Sequence, residues 1–378
     1  MPQLDGLRAF AAGVVVAQHM FLGKLVRLGE SGLGIYGVWL FFVLSGFLIT
    51  GILLHARSQP SYARGQTLRA FYARRSLRIF PLYFAVVLVC AAFGVGTMFR
   101  RDLGWFLTYL PNWRFALLGT WGDRPSGPTW SLGVEEQFYL VWPTLVLFLP
   151  RRWLGRLFVG TAVAGVLSRL VLACLAPHEH AAVTAIMPTT SNLDPLALGA
   201  LLALHRHDAP GAVDARRRWT RAALGAGLVI VAVVAVLSAA HRGVKALLVL
   251  ETLGAALVSV WLVNGAAAGF RPRSIAARVL GAAPVRYVGT ISYGVYLLHQ
   301  PIAYTLRTHA GVTLGLDGRL ATGLAWGALV LAVAIAAASL SWFCFERPIN
   351  RLKDRFHYVQ RAPIDVPAAE GVREAAVA

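Results

Sequence analysis

Arg8 and His19 stand eleven residues apart in an apolar stretch near the start of the chain. At about 100° per residue that spacing brings the two side chains within about 20° of one another around a helix, and about 16 Å apart along it. A guanidinium at one end and an imidazole at the other suit a long substrate whose anionic end differs from its reactive end. Coenzyme A is such a molecule, with phosphates at one end and a thioester at the tip of its pantetheine arm. Imidazole accepts a hydroxyl proton near neutral pH, which is what acyl transfer to an alcohol requires. The plainer reading is a buried histidine satisfied by a neighbour, with Arg8 as a topology anchor. Spacing alone does not choose between the two.

Three further groupings carry chemistry. Arg75 and Arg78 sit at i and i+3 in Ala73-Arg74-Arg75-Ser76-Leu77-Arg78; on one helix face they can grip a phosphate, although interfacial anchoring is the commoner use of such arginines. Glu135 and Glu136 follow Trp130 and Ser131 at the start of another apolar run. Two adjacent acids there cannot both face lipid, and orienting or balancing His19 is one role for them. Favourable interaction with a helix N-terminus explains one acid better than two. His299, in Gly289-Thr290-Ile291-Ser292-Tyr293-Gly294-Val295-Tyr296-Leu297-Leu298-His299, lies as deep in its run as His19 and is either a second site residue or a histidine packed on Gln300 or a backbone carbonyl. His178-Glu179-His180 lacks a third ligand nearby, so no metal is expected. Gly323 and Gly327 read as helix packing. There is no phosphate-binding Gly-Lys-Ser/Thr loop and no Gly-x-Ser-x-Gly elbow.

These residues have to be positioned by elements that live in a bilayer. Of 378 residues 57% are hydrophobic and only 14% charged, against roughly 25% charged in soluble domains. The net charge of +19 would suit nucleic acid, but the basic residues fall in short clusters between apolar runs, the pattern of membrane loops. Nucleic acid is therefore excluded as a partner. Three scattered cysteines, Cys90, Cys174 and Cys344, support neither a disulfide framework nor a metal site. The first apolar run is interrupted by Gln18 and His19, so it reads as a retained span and not as a cleaved signal.

Ten stretches reach spanning length: 6–23, 35–54, 79–97, 131–149, 156–176, 190–205, 221–240, 245–264, 287–307 and 321–345. Basic clusters at 55–78, 150–156, 206–221, 271–286 and after Glu346 alternate with loops near 177–189 and 308–320 that are poor in Lys and Arg. An all-α protein of about ten transmembrane helices with both termini cytoplasmic accommodates every cluster. The stretch 103–119, with Asn112 and Arg114, then has to be re-entrant or to lie at the outer interface. The chain divides into a membrane domain over 1–352 and a basic, then disordered, cytoplasmic tail over 353–378.

Taken together the motifs resemble the acyltransferase-3 family of integral membrane O-acyltransferases. Leu4-Asp5-Gly6-Leu7-Arg8-Ala9 with Arg8 and His19, Gly37-Val38-Trp39-Leu40-Phe41-Phe42-Val43-Leu44-Ser45-Gly46, the Arg75/Arg78 pair, Trp130-Ser131-Leu132 with Glu135-Glu136-Gln137-Phe138, Ile291-Ser292-Tyr293-Gly294 and Glu346-Arg347-Pro348 are similar to that family in type and order over residues 3–352. The resemblance implies cytoplasmic acyl-CoA, by family frequency acetyl-CoA, as a co-substrate with no bound cofactor. It implies a hydroxyl of a cell-surface glycan, lipid-linked sugar or related sugar-like acceptor as the second substrate, and the inner membrane of a bacterium as the location. It also implies His19, Glu135 and Glu136 as catalytic residues, Arg8, Arg75 and Arg78 as donor-binding residues, and Asp5, Ser45, Trp130, Ser131 and His299 as additional members. Gly133 stands where many members carry another small residue. No extracytoplasmic esterase-like domain of the kind fused to some members is evident, so transfer is expected to be completed by the membrane domain or by a separate extracytoplasmic partner enzyme. The alternative function is a proton-coupled transporter or a flippase of glycan precursors, in which intramembrane His and Glu relay protons; the sequence has no inverted repeat to support it.

Overall fold

The structure, a computed structural model, describes residues 2–22, 32–240, 246–314 and 319–359. Among them the secondary structure is helical and no strand is present. Ten long helices carry the architecture: α1 Pro2–Ala17, α2 Leu33–Arg57, α3 Arg64–Phe93, α4 Thr129–Phe148, α5 Arg151–Leu175, α6 Leu193–Asp208, α7 Val213–Ala239, α8 Ala246–Ala268, α9 Ser292–Thr308 and α10 Leu320–Ser341.

Among the described residues six helical segments are long and apolar enough to cross a membrane: α2, α3, α5, α7, Leu247–Ala268 of α8 and Ala321–Arg355, which includes most of α10. The other four expected spans are helices too, but α1, α6 and α9 have 16 or 17 residues and α4 carries Glu135, Glu136 and Gln137 in its first half. At about 1.5 Å per residue, 17 residues reach about 26 Å, short of the roughly 30 Å apolar layer. α1 makes up the difference by running on through a π-helical turn, Gln18–Leu22. The outer surface is apolar: Leu140, Val141, Val159, Val163, Leu167, Val229 and Val236 are all at least half exposed. Side chains that would be costly in water are at no disadvantage against lipid.

The stretch 103–119 does not form a membrane-length helix. It contains Leu103–Leu107 and Pro111–Leu118, separated by Tyr109 at a positive φ of 56°, a conformation that halts a helix. Glycine sets the closest helix contacts. A Cβ at Gly46 of α2 would lie 1.8 Å from the Leu196 carbonyl oxygen on α6, and one at Gly289 would lie 1.8 Å from the Asp5 carbonyl oxygen on α1. Gly323, expected to pack a helix pair, has no atom within 4 Å of an added Cβ. α5 is held to α6 by the fully buried Arg169–Asp194 ion pair, approached through Gly165. Arg57 at the end of α2 donates to the Val146 and Leu149 carbonyls, groups that the C-terminus of α4 leaves without helical partners.

Beyond the membrane domain, the first residues of the expected tail lie along α3. Arg74 donates to the Lys353 and Phe356 carbonyls at 2.9 and 3.0 Å, and Thr67 Oγ1 to the Tyr358 carbonyl at 2.8 Å. The remainder, including the segment expected to be disordered, lies outside the described residues.

Candidate functional site

α1, α2, α3, α4 and α9 converge on two adjoining chambers. One is lined by Arg8 of α1, Ser45 of α2, Arg75 and Arg78 of α3, and Ser131, Glu135, Glu136 and Tyr139 of α4, around about 800 Å³ of empty space. The other, about 890 Å³, is lined by Gln18, His19, Trp121, Asp123, Arg124, Trp130 and Gln300. Val38 of α2 and Tyr296 of α9 line both and form the wall between them. The Tyr296 hydroxyl lies 2.6 Å from Ser131 Oγ and donates to the Pro128 carbonyl at 3.2 Å, so the wall is pinned to the start of α4. Arg8 and His19 thus open at one junction of α2 and α9 but into different chambers.

The arginine chamber brings together the expected donor residues. Three guanidiniums face it against two carboxylates, and Arg8, Arg75 and Arg78 lie close enough to repel one another. An excess of cations confined among apolar helices favours an anionic ligand. Arg75 is seated over the Tyr139 ring, 4.9 Å from its centroid, and Arg8 pairs with Asp5 at 3.5 Å. Tyr139 donates to Ser45 Oγ at 2.9 Å, and Ser45 Oγ donates to Glu135 Oε1 at 2.6 Å. Glu136 Oε1 is buried with no hydrogen-bond partner among the described residues.

His19 sits on the π-helical turn that continues α1, a local widening common at functional sites. Its side chain is exposed and faces the second chamber. Its Nδ1 lies 2.8 Å from His299 Nε2. The ring planes differ by 11° and the centroids are 5.1 Å apart, a separation that exceeds the N···N contact by about one ring width, so the rings lie edge to edge in one plane and not face to face. His299 is fully buried, and its Nδ1 lies 2.6 Å from the Tyr296 carbonyl. A carbonyl only accepts, so Nδ1 of His299 carries the proton and its Nε2 is an acceptor. His19 must then donate from Nδ1, which leaves its Nε2 as an unprotonated lone pair. His299 thus packs on a backbone carbonyl and is also bonded to His19.

The expected pairing of the two acids with His19 is replaced by a different arrangement. The imidazole is bonded to His299, and Glu135 accepts from Ser45. The reason is where α4 crosses the wall: Trp130 lines the His19 chamber, whereas Ser131, Glu135 and Glu136 line the arginine chamber. Sequence reasoning passed over Tyr139, although it stands four residues from Glu135 and so on the same helix face. It also passed over Trp121, Asp123 and Arg124, for which sequence carries no signal, since only the fold brings that loop over the end of α1. Among the described residues no three His, Cys, Asp or Glu side chains gather in a way that could hold a metal ion.

A family model described as an acyltransferase domain matches residues 1–344. The chain is 29% identical to the peptidoglycan O-acetyltransferase OatA of Listeria monocytogenes, over 93% of this chain and 56% of that protein. It is 29% identical to the O-acetyltransferase OatA of Staphylococcus aureus, over 80% of this chain and 50% of that one. To the putative peptidoglycan O-acetyltransferase YrhL of Bacillus subtilis it is 27% identical, over 80% and 48%. The chain therefore spans about half the length of the curated relatives it matches. No solved structure matches it. With a family model covering nearly the whole of a helical membrane fold, this chain belongs to the acyltransferase-3 family.

Proposed function

We propose that the protein is a multi-pass O-acyltransferase of a bacterial inner membrane, moving an acetyl group from cytoplasmic acetyl-CoA to a hydroxyl of a glycan. The observation that carries this reading is the pair of adjoining chambers, one rich in arginine and one containing the His19–His299 pair. The names of the relatives support acetyl as the group and a glycan as the acceptor. Basic clusters in alternate loops support ten crossings with both termini cytoplasmic, since helices occupy all ten expected places.

In this reading Arg8, Arg75 and Arg78 hold the phosphates of CoA, and the pantetheine arm extends towards the Val38–Tyr296 wall. The acceptor enters the His19 chamber. His19 Nε2 takes the proton of the acceptor hydroxyl as the oxygen attacks the thioester carbonyl. When the carbon–sulfur bond breaks, the departing thiolate takes that proton, so the products are an ester and CoA thiol. His299 keeps His19 in the tautomer that presents Nε2, and it accepts from the imidazolium as charge develops there. Tyr139, Ser45 and Glu135 form a hydrogen-bonded chain on the donor side, and Arg75 is braced by Tyr139.

Reconstituted proteoliposomes given radiolabelled acetyl-CoA and a soluble glycan should release CoA thiol and label the glycan, and His19→Ala should do neither. Protein that leaves the thioester intact with every acceptor tried would sink the enzymatic reading.

A further inference from the structure

The mouth of the His19 chamber is built unlike its wall. It is formed by the loop Trp121–Pro128, in which Trp121 is 40% exposed and Arg124 is exposed. The guanidinium of Arg124 has no hydrogen bond, ion pair or ring contact with any described residue, and it faces the chamber. Nearby Arg307 adds a second positive charge but is already used, seated 3.7 Å from the Trp326 ring centroid and donating to the Val312 carbonyl. Asp123, also in the lining, forms no ion pair with Arg124. Its carboxylate accepts from the Thr97 and Met98 backbone N–H groups and from the Ser126 backbone and hydroxyl. Those four bonds, with Gly122 at φ 79°, hold the loop in one shape. Gln18 also lines this chamber, and its Oε1 is buried with no hydrogen-bond partner among the described residues.

We propose that this loop is an acceptor subsite for an acidic sugar: Trp121 stacks on a pyranose face, and Arg124 pairs with a carboxylate on the same glycan. The proposal rests on the acyltransferase reading for the purpose of the site and extends it to the class of acceptor. An exposed indole at a cavity rim offers apolar area at low entropic cost, which the C–H face of a sugar ring can cover. One uncommitted guanidinium fork matches one carboxylate. A dianionic phosphate would call on a second, and Arg307 is committed elsewhere.

The test is binding and transfer measured on the full chain in detergent or proteoliposomes. The probes are a neutral N-acetylglucosamine oligosaccharide, an oligosaccharide of equal length with alternating uronic acid residues, and a sugar phosphate of similar size. The uronic acid probe should bind about ten- to a hundredfold more tightly than the neutral one, the range for a charge-assisted hydrogen-bonded pair. Arg124→Gln should collapse that ratio towards one, with Arg124→Lys intermediate. Trp121→Ala should weaken both probes and Trp121→Phe restore part of the loss. Equal binding of acidic and neutral probes, or an unchanged ratio in Arg124→Gln, overturns the subsite; so does a sugar phosphate that outbinds the uronic acid. Binding is read separately from thioester consumption. Selective binding without acetyl transfer would therefore fault the enzymatic reading and leave the subsite standing, and unselective transfer would do the reverse.

Discussion

His19 and His299, 280 residues apart in the chain, share a hydrogen bond of 2.8 Å from Nδ1 to Nε2 with their rings in one plane. Because His299 Nδ1 is bonded to the Tyr296 carbonyl, the proton positions along this row are dictated by the one group that cannot donate. His299→Ala should therefore lower the transfer rate about ten- to a hundredfold, the cost of losing a hydrogen bond to a group that becomes charged. His299→Gln, whose amide oxygen can still accept from His19, should retain more activity than alanine. His19→Ala should lose about 10²–10⁴-fold. Rates at equal membrane abundance check the order, and an alanine variant as active as the glutamine one would show that the bond has no catalytic use.

The arginine chamber makes a prediction about the donor. Arg75→Lys and Arg78→Lys keep the charge but lose the planar fork, so apparent affinity for acetyl-CoA should fall by about one to two decades. Acetyl-pantetheine lacks the adenosine phosphates and should be used equally by wild type and variants. Equal impairment with both donors would assign the arginines to organising the helices.

Packing is testable within a single helix. Gly46→Ala places a methyl group against the Leu196 carbonyl, whereas an added Cβ at Gly51 meets nothing within 4 Å. Gly46→Ala should force α2 from α6 and cost about 1–3 kcal/mol, seen as a lower unfolding temperature in detergent. Gly51→Ala should be neutral or gain up to about 1 kcal/mol. Similar shifts for the two would mean that the α2–α6 contact yields more easily than its geometry implies.

Topology reporters distinguish ten crossings from fewer. Fusions at residues 120, 182 and 313 should read as external and those at 65, 212 and 278 as internal. An internal signal at 120 would require 103–119 to cross the membrane, although its helices there have five and eight residues.

What the sequence determined by itself was whatever depends on local composition and period. Apolar runs bounded by basic clusters mark helices, because in lipid a backbone must satisfy its own hydrogen bonds. Arg8, Arg75, Arg78, Glu135 and Glu136 were legible as candidates because ionisable groups at such runs are costly, Ser45 and Ser131 only through the family resemblance, and all seven share a chamber. His19 and His299 were legible one at a time. Their bond was not, since a contact between α9 and the end of α1 has no trace in the spacing of either run. Only the tertiary structure separated the acids from the imidazole, by passing α4 through the Tyr296 wall between Trp130 and Ser131. It alone brought Trp121 and Arg124 over the chamber, through carboxylate bonds from Asp123 to backbone N–H groups, which every residue but proline possesses and no sequence pattern advertises. It also decided which glycines pack helices. Gly46 does so and Gly323 does not, because close approach depends on the residue opposite, and that residue is chosen by the fold.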